Sequence, residues 1–326
     1  MNIVFHGRNA AVFRPGLEAL LDALPDTPHR IDTVSDALDG AGEAAIFAAA
    51  DVIVGVALTP AHQAPATLKL YQAPAAGVDA IDVAALPGGA ALCNAYGHEI
   101  AIAEYVMTAL LSRHVPLADA DVRLRAGDWR YLAGAEGGLR SELGSQSIGI
   151  IGYGHIGKSV AARAAAFGMK VHVANRTPVA DPAGLAGLHA LPDLAAMMGQ
   201  VDVVLNTLPL MDDTRGMIGA RELAAMRAHA IILNVGRGAV IDEDALFDAL
   251  ERRAIGGAII DTWYVYPGAG DAHPMPGHRP FHTLPNLVMT PHMSAWTEGT
   301  VARRRATIAD NVNRLARGEP LINRVR

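Results

Sequence analysis

Cysteine is nearly absent. Cys93 is the only one in 326 residues, which excludes an intrachain disulfide and a cysteine-cluster metal site and suits a reducing compartment, the cytoplasm by default. It ends an apolar run and reads as a buried thiol. Basic residues are outnumbered, 27 Lys and Arg against 33 Asp and Glu, for a formal charge of −6. A nucleic-acid partner held through its phosphates would need a basic face, so none is expected. The one basic run, Arg303 to Arg305, reads as the solvated face of a helix. Also missing is any stretch of 18 uncharged apolar residues, and Ile3-Val4-Phe5 follows the N-terminus with no basic flank and long apolar core. Neither a membrane span nor a secretory leader is expected. His273, His278 and His282 lie in a proline-rich stretch without carboxylates or cysteines at ligand spacing. They read as parts of a loop or lid, and no metal is expected.

What remains is a chain that is 51% hydrophobic with 33 glycines, long enough for two compact domains. Short apolar runs alternate with helical stretches in the first part: Ile3-Val4-Phe5, Ala11 to Leu24, Asp51 to Ala57, Leu68 to Gln72 and Ala90 to Cys93. A long apolar helical stretch, Ile100 to Leu111, then joins this part to a second series of strands. These are Ile148 to Ile151, Val171 to Ala174, Val201 to Leu205, Ile231 to Val235, Ala258 to Asp261 and Leu287 to Met289. Strands separated by helices need crossovers and a sheet covered on both faces, so two doubly wound parallel units are expected. The last helical stretch, Trp296 to Arg317, follows the second series with too few strands for a unit of its own. It is expected to return to the first domain, making the second an insertion.

Gly152-Tyr153-Gly154-His155-Ile156-Gly157 lies between an apolar run and a helical stretch. One glycine makes the tight turn, the next lets backbone approach a pyrophosphate, and the third permits close helix-to-strand packing, while the helix N-terminus offers its amides. A dinucleotide is the expected ligand. About 20 residues downstream, where an acidic residue would grip both ribose hydroxyls, the chain reads Asn175-Arg176-Thr177. A neutral, a cationic and a hydroxylated side chain suit a 2′-phosphate, which a carboxylate would repel. NADP(H) is therefore expected ahead of NAD(H); the alternative is that Arg176 stacks on adenine or faces water.

Two later motifs carry chemistry. Asn234-Val235-Gly236-Arg237-Gly238 ends a strand at the carboxyl edge of the sheet, where open α/β sheets hold ligands, and Arg237 can take a carboxylate bidentately. Thr290-Pro291-His292 ends another strand, and a histidine there can carry a proton near neutral pH.

In this order the motifs resemble the D-isomer-specific 2-hydroxyacid dehydrogenase family. The stretches that carry the resemblance are Ala75 to Asp82, Asn94 to Glu104, the Gly152 loop, Leu208-Pro209-Leu210 with Thr214, Asn234 to Glu243, Asp261, and Pro291-His292; they extend over essentially the whole chain. The fold class is then α/β: two doubly wound parallel-sheet domains, a Rossmann nucleotide-binding domain at 98–293 inserted into a flavodoxin-like substrate domain at 1–97 and 294–326. The resemblance implies hydride transfer between a nicotinamide and a D-2-hydroxy or 2-keto acid, more in the sense of a ketoacid reductase. Arg237 would bind the carboxylate with backbone amides near Ala76 and Gly77, and His292 would exchange the proton. Asp261 would bond the nicotinamide carboxamide, with Leu208, Pro209, Thr214, Val235 and Gly236 also on the cofactor. A homodimer built on the nucleotide domains and catalysis in the cleft between domains are implied as well.

One position departs from the family. A glutamate usually stands five residues after the strand-end aspartate and bonds the catalytic histidine, but here Tyr266 occupies it. A phenol can orient imidazole but cannot stabilise imidazolium as a carboxylate does. Formate dehydrogenases of the family also lack this glutamate, and they resemble the chain at Trp263 and Ser294, so formate oxidation is the runner-up. A corepressor-like nicotinamide sensor is a third reading. His98, Trp263, Tyr264, Tyr266 and Trp296 together suggest aromatic walls suited to an apolar or aromatic side chain, with His98 and Trp296 assigned to the substrate.

Overall fold

A computed structural model describes residues 1–22, 28–268 and 270–326. The chain divides into two compact units, Met1–Gly97 with Trp296–Arg326, and His98–Ala295.

In the first unit, β1 (Asn2–His6), α1 (Gly7–Ala11), β2 (Arg30–Val34), α2 (Glu43–Ala48), β3 (Val52–Gly55), β4 (Leu70–Gln72) and β5 (Ala91–Cys93) form a parallel sheet of order β2-β1-β3-β4-β5. This is the flavodoxin-like order. One apolar core lies on each face. The helical stretch expected from Ala11 to Leu24 does not form as such: α1 stops at Ala11, and only a 3-10 turn, Glu18–Leu20, follows. Pro15 lacks an N–H, and Gly16 takes a left-handed φ of 79°, so the helical ladder is broken there. Ala23 and Leu24 lie outside the described residues.

The second unit opens with α3 (Glu99–His114) and α4 (Leu117–Arg125), then runs through β6 (Ser147–Ile151), α5 (His155–Ala166), β7 (Lys170–Asn175), β8 (Gly187–Ala190), α6 (Leu194–Met198) and β9 (Val203–Asn206). It continues through α7 (Ala220–Ala225), β10 (Ile231–Asn234), α8 (Glu243–Glu251), β11 (Gly257–Ile260) and β12 (Leu287–Met289). Its seven parallel strands are ordered β12-β11-β10-β9-β6-β7-β8. Counted from β6, that is the 3-2-1-4-5-6 order of a dinucleotide fold with one more strand at the edge. Strands β9, β10 and β11 are wholly buried, as a sheet covered on both faces demands. One core packs α3 and α5 on one face; the other holds α6, α7 and α8.

Helix starts follow local chemistry. The Asp242 carboxylate accepts the Ala245 N–H at 2.8 Å to begin α8, the expected acidic start. Thr297 accepts the Thr300 N–H to begin α9 (Glu298–Arg317), which Gly318 ends in a left-handed cap. Ile308, Ala309 and Val312 of α9 join the first unit's core beside Ile3 and Phe5. Among the described residues no helix is long and apolar enough to cross a membrane.

Candidate active site

The glycine loop follows β6 and leads into α5 at its carboxyl edge. Gly152 has φ 91°, a conformation that disfavours any side chain. A Cβ at Gly157 would overlap the Gly152 carbonyl, whereas one at Gly154 would meet nothing within 4 Å. The loop is thus closed where helix meets strand and open at its middle glycine. Tyr153 and Ile156 pack against the core, and the Lys158 ammonium lies 5.9 Å from the Tyr153 ring centre. His155, exposed, is the first residue of α5.

At the end of β7, the Asn175 amide oxygen accepts the Tyr153 N–H at 3.1 Å, and its nitrogen donates to the Thr177 carbonyl at 2.9 Å. Asn175 therefore ties the glycine loop to the turn after β7. Arg176, half exposed, donates from Nη2 to the Asp213 carboxylate at 2.6 Å. Thr214, buried, closes the 208–214 turn, with its hydroxyl donating to the Pro209 carbonyl and accepting the Met211 N–H, each at 2.8 Å. Leu208 is held through its N–H by Asn206.

Arg237 stands just past β10 on a frame of buried amides. The Asn234 oxygen accepts from Asn206 Nδ2 at 2.9 Å and from the Gly236 N–H at 3.1 Å, and Asn234 Nδ2 donates to the Arg237 carbonyl. The Val235 N–H is taken by the Asn206 carbonyl. Both flanking glycines are sterically required: a Cβ at Gly236 would press on the Leu208 carbonyl, and one at Gly238 would overlap Trp263 backbone. The Arg237 side chain is partly exposed, and its Nη1 donates to the Gly236 carbonyl at 3.0 Å.

His292 follows β12 and is exposed, with φ 58°, a conformation uncommon outside glycine. The turn is imposed by Asp261. This wholly buried carboxylate accepts the Thr290 hydroxyl at 2.6 Å and the Met293 and Ser294 N–H groups at 2.9 Å. A carboxylate has about four acceptor positions, and three of them are engaged with the histidine turn. The Tyr105 hydroxyl meets Thr290 Oγ1 at 2.7 Å, and the Trp263 indole donates to the Thr290 carbonyl at 2.7 Å. Burial raises the Tyr105 pKa, so its phenol stays protonated and can donate to Thr290. The Tyr266 hydroxyl accepts the Trp263 N–H and lies 3.0 Å from His292 Nδ1. The departure singled out in the sequence is therefore a direct contact.

Beyond this edge, His98 is the buried N-cap of α3, with Nδ1 3.8 Å from a Glu99 carboxylate oxygen. In the first unit, the Ala76 carbonyl accepts Asn94 Nδ2 at 2.8 Å and the Ala75 carbonyl accepts the Ala95 N–H, which holds the turn leading to Gly77. Trp296, half-exposed, sets its ring edge-on to Phe13, 6.2 Å between centres. Around His278, the carboxylates of α8 act as a latch: Glu243 bonds the His278 imidazole at 2.8 Å, and Asp244 bonds Arg279 at 2.7 Å.

Sequence reasoning quoted Thr290 without giving it a role and passed over Tyr105, Asp213 and the Asn206–Asn234 pair. A signal existed for the last, since Val203-Val204-Leu205-Asn206 and Ile231-Ile232-Leu233-Asn234 end alike. Two neighbouring buried strands each ending in a short amide invite a bond between them.

The family profile described as D-isomer specific 2-hydroxyacid dehydrogenase, NAD binding domain, matches residues 106–294. A glycerate dehydrogenase of Methylorubrum extorquens is 35% identical over 263 residues, 78% of this chain and 77% of that protein. A D-3-phosphoglycerate dehydrogenase of Methanocaldococcus jannaschii is 32% identical over 256 residues, 77% of this chain and 46% of that protein. The chain spans about half the length of the phosphoglycerate dehydrogenases it matches. Among solved structures, an NADPH-dependent glyoxylate/hydroxypyruvate reductase from Sinorhizobium meliloti, in complex with NADP and malonate, superposes with a TM-score of 0.76 at 25% identity. That similarity covers 99% of this chain and 96% of the other.

Proposed function

Because the chain belongs to the D-isomer specific 2-hydroxyacid dehydrogenase family, we propose that it is a nicotinamide-dependent oxidoreductase of D-2-hydroxy and 2-keto acids. Its working direction is reduction of the keto acid, with NADP(H) preferred and NAD(H) accepted. The observation that carries this reading is a shared edge: β6, β10 and β12 of one sheet end in the glycine loop, in Arg237 and in His292.

The bound nicotinamide supplies the hydride. The chain's residues do the rest. Gly152, Gly154 and Gly157 shape the loop for the pyrophosphate, and Asn175, Arg176 and Thr177 face the ribose side. Asp261 would hold the carboxamide of the bound nicotinamide. Arg237 clamps the substrate carboxylate. His292 gives its proton to the oxygen that becomes the hydroxyl, and Tyr266 orients it. Formate oxidation needs no proton exchange, and the uncharged partner of His292 keeps it as the second reading.

The assembly is a homodimer. Leu117, Val122, Leu124, Trp129, Leu132 and Leu139, on and after α4, are all more than half exposed, an apolar surface of the kind that a second copy covers. A cytoplasmic setting agrees with the thiol of Cys93, which burial pushes up to about 11 and so keeps protonated and unreactive.

Replacing Arg237 by Gln tests the reading. A charged hydrogen bond contributes about 1.5–3 kcal/mol, so KM for the keto acid rises roughly 10- to 100-fold while NADPH binding by fluorescence is unchanged. Weakened cofactor binding with an unaltered KM would overturn the assignment.

A further inference from the structure

Arg176 at the end of β7 is held from a different strand. Its Nη2 donates to Asp213 Oδ2 at 2.6 Å, with both side chains at least half exposed. Asp213 belongs to the turn after β9, which buried Thr214 fastens by bonds to Pro209 and Met211. The carboxylate is therefore placed by a rigid turn, while the arginine is the long, adaptable partner. Asn175, at the position where an acid would grip ribose, is neutral and engaged with Tyr153 and Thr177. The negative charge missing from the end of β7 is supplied instead from across the sheet edge.

We propose that Asp213 is a specificity-determining residue for the dinucleotide: it competes with a ribose 2′-phosphate for Arg176 and so limits how strongly the chain prefers NADPH over NADH. This rests on the reading of the Gly152 loop as the dinucleotide site with Arg176 on its ribose side. A 2′-phosphate must share the guanidinium with a fixed carboxylate or displace it, and it feels that carboxylate's repulsion as well. A ribose hydroxyl gains nothing from breaking the pair and carries no charge to be repelled. Asp213 thus weakens one cofactor and leaves the other nearly untouched.

The test is fluorescence titration of the purified full-length chain with NADPH and with NADH, using wild type, Asp213→Asn, Arg176→Gln and the double variant. Exposed ion pairs are weak, so Asp213→Asn is expected to tighten NADPH on the order of fivefold and to leave NADH within about twofold. Arg176→Gln weakens NADPH selectively, and in that background Asp213→Asn changes the NADPH to NADH ratio much less, the coupling a double-mutant cycle isolates. High salt narrows the difference between wild type and Asp213→Asn. If Arg176→Gln weakens NADPH but Asp213→Asn leaves the ratio unchanged, or tightens both cofactors equally, the role of Asp213 is overturned and the ribose-side reading stands. If Arg176→Gln leaves the ratio unchanged, both fall together.

Discussion

The phenolic oxygen of Tyr266 lies 3.0 Å from Nδ1 of His292, and it also accepts the Trp263 N–H. A hydroxyl can donate once and accept twice. When imidazole is neutral, Nδ1 either accepts the phenol's hydrogen or donates its own to the phenol, according to the tautomer; when it is protonated, Nδ1–H donates to the phenol. The ring is oriented in both states, without a charge that favours the second.

Two substitutions at Tyr266 separate these effects. Tyr266→Phe removes a hydrogen bond contributing about 1 kcal/mol, and kcat/KM for reduction falls about 5- to 10-fold. Tyr266→Glu brings a carboxylate to the imidazole, which favours its protonated form, so the high-pH limb of the reduction profile moves up by about one unit. Wild-type rate and profile in both variants would show that the contact is without consequence for catalysis.

Asp261 has a different role, because its carboxylate gathers Thr290, Met293 and Ser294 around a histidine with φ 58°. Asp261→Asn keeps the volume but sets an NH2 group against a donor. A buried unsatisfied donor costs about 1–3 kcal/mol, so the melting temperature falls and kcat drops at least 10-fold as the turn relaxes. A variant that melts lower yet retains wild-type kcat would show that the bonds support the fold only.

The two strand series, the glycine loop and the strand-end turns that carry Arg237 and His292 were legible because buried parallel strands and strand-end glycines write themselves in short spans. Strands β2 and β8 were not. Both are edge strands with partly exposed patterns, and Gly187-Leu188-His189-Ala190 holds no β-branched residue. The stretch from Ala11 looked helical by its apolar content, yet Pro15 and Gly16 decide its backbone. Asp213 and the role of Thr290 were missed for another reason: each acts on a partner far along the chain, and only the sheet order brings them together. Tyr266 was found from a family pattern, since nothing local marks one tyrosine as the partner of a histidine 26 residues on.

Stability should fall on mild acidification. His6 is buried with its Nε2 3.2 Å from the Asp36 carbonyl and its ring 4.8 Å from that of His62. Burial, with the nearby His62, holds its pKa below the ordinary histidine value, and burial pushes His114 and His172 the same way. A lowered folded-state pKa means that the unfolded chain binds the proton more tightly. The native state keeps its full advantage above a pH of about 6.5 and loses it as pH falls below that value. Urea midpoints at pH 7.5 and 5.5 should show the loss, and His6→Phe should make it smaller. An unchanged slope would remove His6 from this account.

The most direct measurement follows the loss of reduced-nicotinamide absorbance when purified protein meets glyoxylate, hydroxypyruvate, pyruvate, phenylpyruvate or branched 2-keto acids, with NADPH and NADH in parallel. The account predicts turnover of at least one keto acid to its D-2-hydroxy acid, faster with NADPH, and a collapse of that turnover in His292→Ala with cofactor binding intact. Binding of NADPH without reduction of any of these acids, or undiminished turnover in His292→Ala, would contradict it.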